Sequence, residues 1–492
     1  MGRPTLRTRP DGPCGVWQLR AMRSVTLLMA FAAACTGAGP VDGGVGGADG
    51  PPVDAAGRPD AGCDCDASGD AARPDGGTTD AGGSRIDDIV ALLAASPADV
   101  AAIDAALHDV AWSDGWPLRE GRRWLFVTEL ATSDAVHWVS DLNAWDAGSH
   151  PATRSATGRH HWVVVEEARF LSPPEGSKYK WVLGASEYLP PLEATAYGFD
   201  AFGRFGWVRP PPSAPHLEQF PGLASAHLAL PRTLRVYLPA GFVPRGPSAA
   251  GARTLLVHDG QNVFHPDAFF GGWRLDEALS GPAFSDVVVL AIDNAADRMD
   301  AYTHVADDIG AGSRVGGRAA AYLALLEDEA LPFLRARYGV EARGDSLAMM
   351  GSSLGGLVTA FAALERPELF GCGAALSPTL GWGSFAPGMS DALVQRWPSH
   401  GRGATALYLD SGGGVVGACA DLDGDGVEDD ADDRDNYCVT VQLRDRLVDL
   451  GYAFGVDLAH WHAPGAGHDE AAWAARVPRA LAACSAMGWA AP

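Results

Sequence analysis

One segment constrains the fold more than any other. In residues 347–367, LAMMGSSLGGLVTAFAALERP, an apolar run, a glycine-rich turn and a longer apolar run follow one another without a gap. The first run has the length of a buried strand and the second that of a helix, so the chain passes from sheet to helix within a few residues. Gly351-Ser352-Ser353-Leu354-Gly355 fits G-x-S-x-G, the sharp turn that lifts a serine hydroxyl above the end of a sheet. Glycines are needed because Cβ atoms flanking the strained serine would collide. The turn also sets Oγ at a helix N-terminus, where free N–H groups and the helix dipole favour a nearby anion. As five letters the pattern also occurs in turns that merely pack a helix on a sheet. The preceding strand, Gly356 and the apolar helix make Ser353 a candidate nucleophile.

The C-terminal half repeats this alternation. TLRVYLP (233–239), TLLVHDG (254–260), VVVLAID (287–293), SLAMMG (346–351) and ALYLD (406–410) read as short buried strands, and AAAYLALLEDEALPFLRARYG reads as helix. Such an alternation implies a mostly parallel sheet with helices on both faces, an α/β fold over residues 225–490. Upstream, WLFVTEL, AVHWVSDLN, HHWVVVEEARFL and KYKWVLG are strand-like runs separated by turn residues, which predicts a small all-β sandwich over 122–208. A helical segment interrupted at Pro97 precedes it over 85–121, and a Pro-rich linker follows over 209–224. Trp138, Trp145, Tyr179 and Trp181 admit two uses, a glycan platform or packing within a core, and packing is the commoner one.

At 492 residues and 47% hydrophobic content, the chain can bury one large core and a second, smaller one. A net charge of −24 argues against electrostatic binding to nucleic acid or to an anionic membrane surface. After Arg23, an apolar run and small residues end in FAAAC, the pattern of an export signal over residues 1–35. A cysteine at that position resembles a bacterial lipobox, with Ala32 where a leucine usually stands; the resemblance implies a lipid anchor on Cys35 and a membrane association through that anchor alone. Cleavage by the ordinary secretory peptidase, with Cys35 incidental, is the alternative, and both predict an extracytoplasmic protein. Residues 36–84, rich in Gly, Ala, Asp and Pro, read as a flexible tether. Within it Cys63 and Cys65 stand too close for an unstrained bridge and receive no role. Export permits disulfides, and Cys419–Cys438 and Cys372–Cys484 are candidate pairs, although spacing does not fix connectivity.

A serine hydroxyl needs a base. His468, in PGAGHDEAAWAARV, sits in a glycine-rich turn between a predicted strand and an amphipathic helix, whereas His460 and His462 fall on the strand itself. The third member should be a carboxylate between the two in sequence, because such hydrolases run Ser, acid, His. Asp410, at the end of ALYLD, and Asp435, in DNY before the next helix, are both candidates. For an oxyanion hole, the N–H of Leu354 and one from the loop at Gly260 and Gln261 are expected.

LLVHDGQNVF, GGWRLDEAL, RMDAY (298–302), GSSLGG and GAGHDEAAWAAR occur in the order and spacing of the esterase D/enterochelin-esterase family, which the chain resembles over residues 225–490. The resemblance implies an α/β-hydrolase fold, a Ser-His-acid mechanism on carboxylic esters, and no organic cofactor. It carries over to Ser353 and His468. Its strand–Gly–x–x pattern before a helix favours Asp435 as the acid without excluding Asp410. The upstream VHWVSDLNAWD is similar to the early-set sandwich that precedes the hydrolase in enterochelin esterases. Arg298 is a candidate to bind a substrate carboxylate or phenolate, against the alternative of a packing arginine.

The sequence departs from that family at CADLDGDGVEDDADDRDNYC (419–438), which fits an acidic calcium loop, D-x-D-x-D-G-x5-[E/D]. Asp421, Asp423, Asp425, the Val427 carbonyl, Asp429 and Asp432 take its ligand positions, and Gly426 its sharp turn. A solvated acidic insertion is the alternative, but so many like charges repel without a cation. The expected role for Ca2+ is structural. Three functions follow: an exported serine esterase acting on a small-molecule or glycan-linked ester, an acyltransferase on the same fold, or a degenerate hydrolase that only binds. The identity of the ester and the oligomeric state do not follow from the sequence.

Overall fold

The computed structural model describes residues 83–184, 186–265, 268, 270–310, 312–413, 419–429 and 435–492. The export segment with Cys35, the tether through residue 82 with Cys63 and Cys65, and Asp432 lie outside the described residues.

Runs such as VVVLAI bury every side chain, which a strand does only inside a sheet covered on both faces. Six parallel strands form that sheet in the order Leu458–His462, Ala406–Ser411, Phe370–Leu376, Gly344–Ser352, Arg253–His258 and Val287–Ile292. Strand alternation divides the core in two. Val288, Leu290, Ile292, Leu347 and Met349 face the helices Leu331–Tyr338, Leu354–Glu365 and Tyr437–Asp449. Val287, Val289, Ala291, Ala348 and Met350 face the terminal helix Glu470–Met487. That helix is stapled to the sheet by the disulfide Cys372–Cys484, and Cys419–Cys438 closes the acidic loop. Among the described residues no helix is long and apolar enough to cross a membrane.

The sheet does not stop at the hydrolase boundary. Arg232–Leu238 joins it antiparallel to Val287–Ile292, and His216–Leu223 pairs with both Arg232–Leu238 and Ala196–Asp200. The linker expected over 209–224 is therefore shorter than its composition suggests. The prolines at 210–212 precede a strand that hydrogen-bonds on both sides, and a joint of this kind is not a free hinge. Beyond it, Gly203–Trp207, Lys178–Leu183 and Val136–Ser140 continue the same sheet. The expected sandwich is thus formed from the end of the main sheet and a separate four-stranded sheet, Leu118–Glu120, Arg123–Glu129, His160–Glu166 and Thr153–Arg154. Trp138, Tyr179 and Trp181 fill the space between these layers with Trp124 and Phe126, so they cannot form an exposed platform. Trp145 is half-buried and donates to Asp141 at 2.9 Å. The helices Arg85–Ala94 and Val100–Ser113, capped by Ser84 and Asp99, cover the outer face of the small sheet through Ile86, Leu93, Ile103 and Val110.

Candidate active site

Strand Gly344–Ser352 and helix Leu354–Glu365 leave one residue between them, and that residue is Ser353. Its φ of 58° and ψ of −122° are strained for a residue with a Cβ, a cost that the surrounding packing must hold in place. The neighbouring glycines show how tight the turn is. A Cβ on Gly351 would lie 2.5 Å from the backbone of Gly355 and 2.8 Å from the His258 ring, and one on Gly356 would lie 3.0 Å from Pro378. Leu354 opens the helix, so its N–H has no intrahelical acceptor and is free for an anion beside Ser353.

Ser353 Oγ lies 2.9 Å from His468 Nε2, and His468 Nδ1 lies 2.7 Å from Asp435 Oδ1. Both bonds are within normal range, and together they join three chain segments into one hydrogen-bonded line. His468 is positioned by the loop before Asp469, which caps the terminal helix through the Ala472 N–H at 2.9 Å. One turn into that helix, the Trp473 ring stands edge-on to the imidazole at 5.0 Å between centroids. Asp435 is fully buried, and its other oxygen accepts from Ser377 Oγ at 2.7 Å, Arg476 Nη1 at 3.1 Å and the Gly412 N–H. Arg476 and Trp473 also donate to Ser377 Oγ, at 2.6 and 3.0 Å. Four donors thus converge on one carboxylate and fix its orientation towards the imidazole.

Asp410 lies beside this network but outside the line. Its partners are the Ser377 N–H at 3.2 Å, the Tyr408 hydroxyl at 3.0 Å and, at 3.6 Å, Arg476; none is the imidazole. Burial pushes its carboxyl up to about 6 despite Arg476. Sequence reasoning missed Ser377, Trp473 and Arg476. The last two are three residues apart in EAAWAAR, on one face of the terminal helix, and that spacing was the available signal.

The loop Gly260–Asn262 follows strand Arg253–His258 by one residue, Asp259, which takes a left-handed φ of 57°. Its carboxylate would be 3.4 Å from a Cβ on Gly355, so this loop begins against the first turn of the Ser353 helix. The substrate-binding reading of Arg298 gives way here to a bracing one. Arg298 forms a two-point ion pair with Asp259, at 2.8 and 2.8 Å, and Asn294 donates to the same carboxylate at 2.5 Å. Burial opposes the Asp259 charge, but Arg298 outweighs it and holds the carboxyl below its usual range. Gln261 is fixed through its side-chain oxygen, which accepts the Asn294 N–H at 3.1 Å. Beneath the elbow, burial pushes His258 down to about 3, so its imidazole is neutral; Nδ1 contacts Tyr322 OH at 2.8 Å. His460 and His462 lie on strand Leu458–His462, away from the hydrogen-bonded line.

In the acidic loop, carboxylate oxygens of Asp421, Asp423 and Asp429 lie within 4.8 Å of one another. Two oxygens ligating one calcium at about 2.4 Å stand at most about 4.8 Å apart, so the three fit a shared ion. Gly426 has the left-handed turn, φ 90°, and Asp421 orders the loop by accepting from Gly424 at 2.7 Å and Gly426 at 3.0 Å. Asp425 does not join the three; it accepts from the Val427 N–H at 2.7 Å.

The doubly covered parallel sheet, with a strained serine set between strand and helix, defines the class, an α/β-hydrolase fold. Residues 225–484, more than half of the chain, match the sequence model of the Esterase family, described as "Putative esterase". The chain belongs to that family. It is 28% identical over 152 residues to the uncharacterized protein YbbA of Bacillus subtilis, matching 30% of this chain and 58% of that relative's length. Among solved structures, the IroE-like serine hydrolase of Shewanella oneidensis is 19% identical, with 54% of this chain and 79% of that one covered and a TM-score of 0.41. The enterobactin esterase FES of Shigella flexneri is 12% identical, with 75% and 95% covered and a TM-score of 0.37.

Proposed function

We propose that this member of the esterase family hydrolyses a small-molecule carboxylic ester by way of an acyl-enzyme on Ser353. The observation that carries this reading is the continuous line Asp435–His468–Ser353, ending on a hydroxyl at the start of a helix. Ser353 Oγ attacks the acyl carbon while His468 Nε2 takes its proton. Asp435 orients the imidazole and balances the charge it gains. The oxyanion is met by the Leu354 N–H and by the loop at Gly260 and Gln261, which Arg298 and Asp259 keep in position. His468 then protonates the leaving alcohol, and water, deprotonated by the same nitrogen, releases the acid.

A fluorophosphonate probe tests this directly. The wild type is expected to label and Ser353→Ala to stay unlabelled, and a screen of aryl, feruloyl and siderophore esters then identifies the acid and alcohol accepted. A wild type that neither labels nor cleaves any of them sinks the proposal.

Two further parts of the reading concern the setting. The convergence of Asp421, Asp423 and Asp429 supports a structural Ca2+, which would offset their mutual repulsion and steady the segment leading to Asp435. Two disulfides, and the FAAAC motif ending at Cys35, support export and a lipid anchor. Metabolic labelling with a radioactive fatty acid, lost in Cys35→Ser, is the check on the anchor.

A further inference from the structure

The N-terminal extension of the sheet also forms a wall. The hairpin of Ala196–Asp200 and Gly203–Trp207 stands across from the Gly260–Asn262 loop, and between them lies a cleft of about 400 Å³. Its lining is unusual for a chain of net charge −24: it contains Lys180, Arg204 and Arg235 and, among the described residues, no carboxylate. Planar groups make up much of the rest. Phe199 stacks on His265 with centroids 3.8 Å apart, and Phe202, at the tip of the hairpin, is 86% exposed.

The three cations are not equivalent. Arg235 is neutralised by Asp293, which accepts two bonds at 2.7 and 2.8 Å. Lys180 donates to the Phe202 carbonyl, and Asp200, whose charge acts on it, is held by Lys178 at 2.8 Å. Arg204 lies 3.9 Å over the Tyr197 ring with one long bond to the Leu192 carbonyl at 3.4 Å. Its Nε is buried without a partner, and among the described residues no carboxylate is within ion-pair distance of it. Among the described residues, Glu193 is a nearby acid that acts on Arg204. It is turned to the Glu129 N–H at 2.6 Å, and burial pushes its carboxyl up, towards the neutral form. A half-buried guanidinium with no carboxylate in ion-pair range among the described residues costs free energy that a bound anion would offset.

We propose that this cleft is a subsite for a carboxylate or sulfonate carried on a planar body, the end of the ester substrate remote from the scissile bond. Arg204 and Lys180 take the anion, and the aromatic wall takes the plane. The cleft borders Gly260 and Gln261, so a ligand there adjoins the loop assigned to the oxyanion. The subsite role rests on the esterase reading; binding of the anion does not.

The probe is terephthalate, with neutral terephthalamide as control, titrated into the full chain by calorimetry. Saturable terephthalate binding is expected, weakened at least about tenfold by Arg204→Gln and by Lys180→Gln, with none for the amide. Circular dichroism melts establish that both variants fold, which removal of an uncompensated cation favours. In kinetics, the kcat/KM ratio of mono-para-nitrophenyl terephthalate over para-nitrophenyl benzoate should exceed one and fall at least about tenfold in either variant. No saturable binding, or equal binding by wild type and both folded variants, overturns the anion site. Binding that persists in a wild type inert towards every ester overturns the subsite role and the esterase reading together. Hydrolysis with no preference for the anionic ester overturns the subsite alone.

Discussion

The two ends of the Ser–His–Asp line are built in different ways. The nucleophile end comes from consecutive residues: strand, Gly351, Ser353, Gly355, Gly356, helix. The acid end is assembled from four distant places, with Ser377 after one strand, Gly412 after another, Asp435 at the start of a helix and Arg476 in the last helix. A local turn is set by steric limits on neighbouring residues. A buried carboxylate is set by whichever donors the fold delivers to it. Damage should therefore be geometric at one end and electrostatic at the other.

The largest contrast expected is between the two aspartates. Asp435→Asn removes the acceptor that orients His468 and should lower kcat on a para-nitrophenyl ester by about 10³–10⁴-fold, whereas Asp410→Asn should stay within about tenfold of wild type. Steady-state kinetics decides between them, and the reverse order would move the acid to Asp410. At the other end, Gly351→Ala drives a methyl group into the Gly355 backbone, which cannot retreat as a side chain would. A loss of roughly 2–3 kcal/mol is expected by chemical denaturation, together with reduced probe labelling.

Asp410 also gives the acid end a pH signature. Its carboxyl is raised in the folded chain to about 6 from an ordinary 3.8, so the folded state holds the proton longer. The contribution to stability is full below about 4 and is lost as the pH rises through about 6. Across that interval the wild type should lose Tm relative to Asp410→Asn, which lacks this contribution. The smallest effect is expected from the acidic loop. EDTA should lower Tm by a few degrees, roughly 2–4 °C for each kcal/mol of bound-ion stabilisation, and Asp423→Asn should remove the response. No change with EDTA in both Tm and activity would remove the cation from the account.

The same contrast explains what could be read before the structure. Ser353 and His468 stand in motifs whose spacing carries their chemistry, and the parallel sheet follows from its apolar runs. Asp410 and Asp435 both lie between Ser353 and His468, the family pattern only leaned towards Asp435, and it is the His468 bond that separates them, on a carboxylate also held by Arg476, Ser377 and the Gly412 N–H. Those contacts join residues 41 and 58 positions from Asp435, beyond any local pattern. Arg298 stayed open between a substrate ligand and a packing arginine because nothing nearby in sequence marks Asp259 as its partner, 39 positions away. The shared sheet was hidden for a related reason: the prolines at 210–212 announce a joint, but pairing of His216–Leu223 on both sides is a long-range property. Strand Phe370–Leu376, FGCGAAL, is rich in small residues and lacks the β-branched run that marks its neighbours.

The central claim is that acyl groups pass through Ser353. Acid quenching during the burst phase with a para-nitrophenyl ester, followed by mass spectrometry of the digested chain, measures this directly. The account predicts that the peptide holding Ser353 gains the mass of the acyl group, that the adduct builds up further in Asp435→Asn if deacylation is slowed more than acylation, and that Ser353→Ala shows none. Steady turnover by Ser353→Ala at the wild-type rate, or an adduct on any other residue, would contradict it.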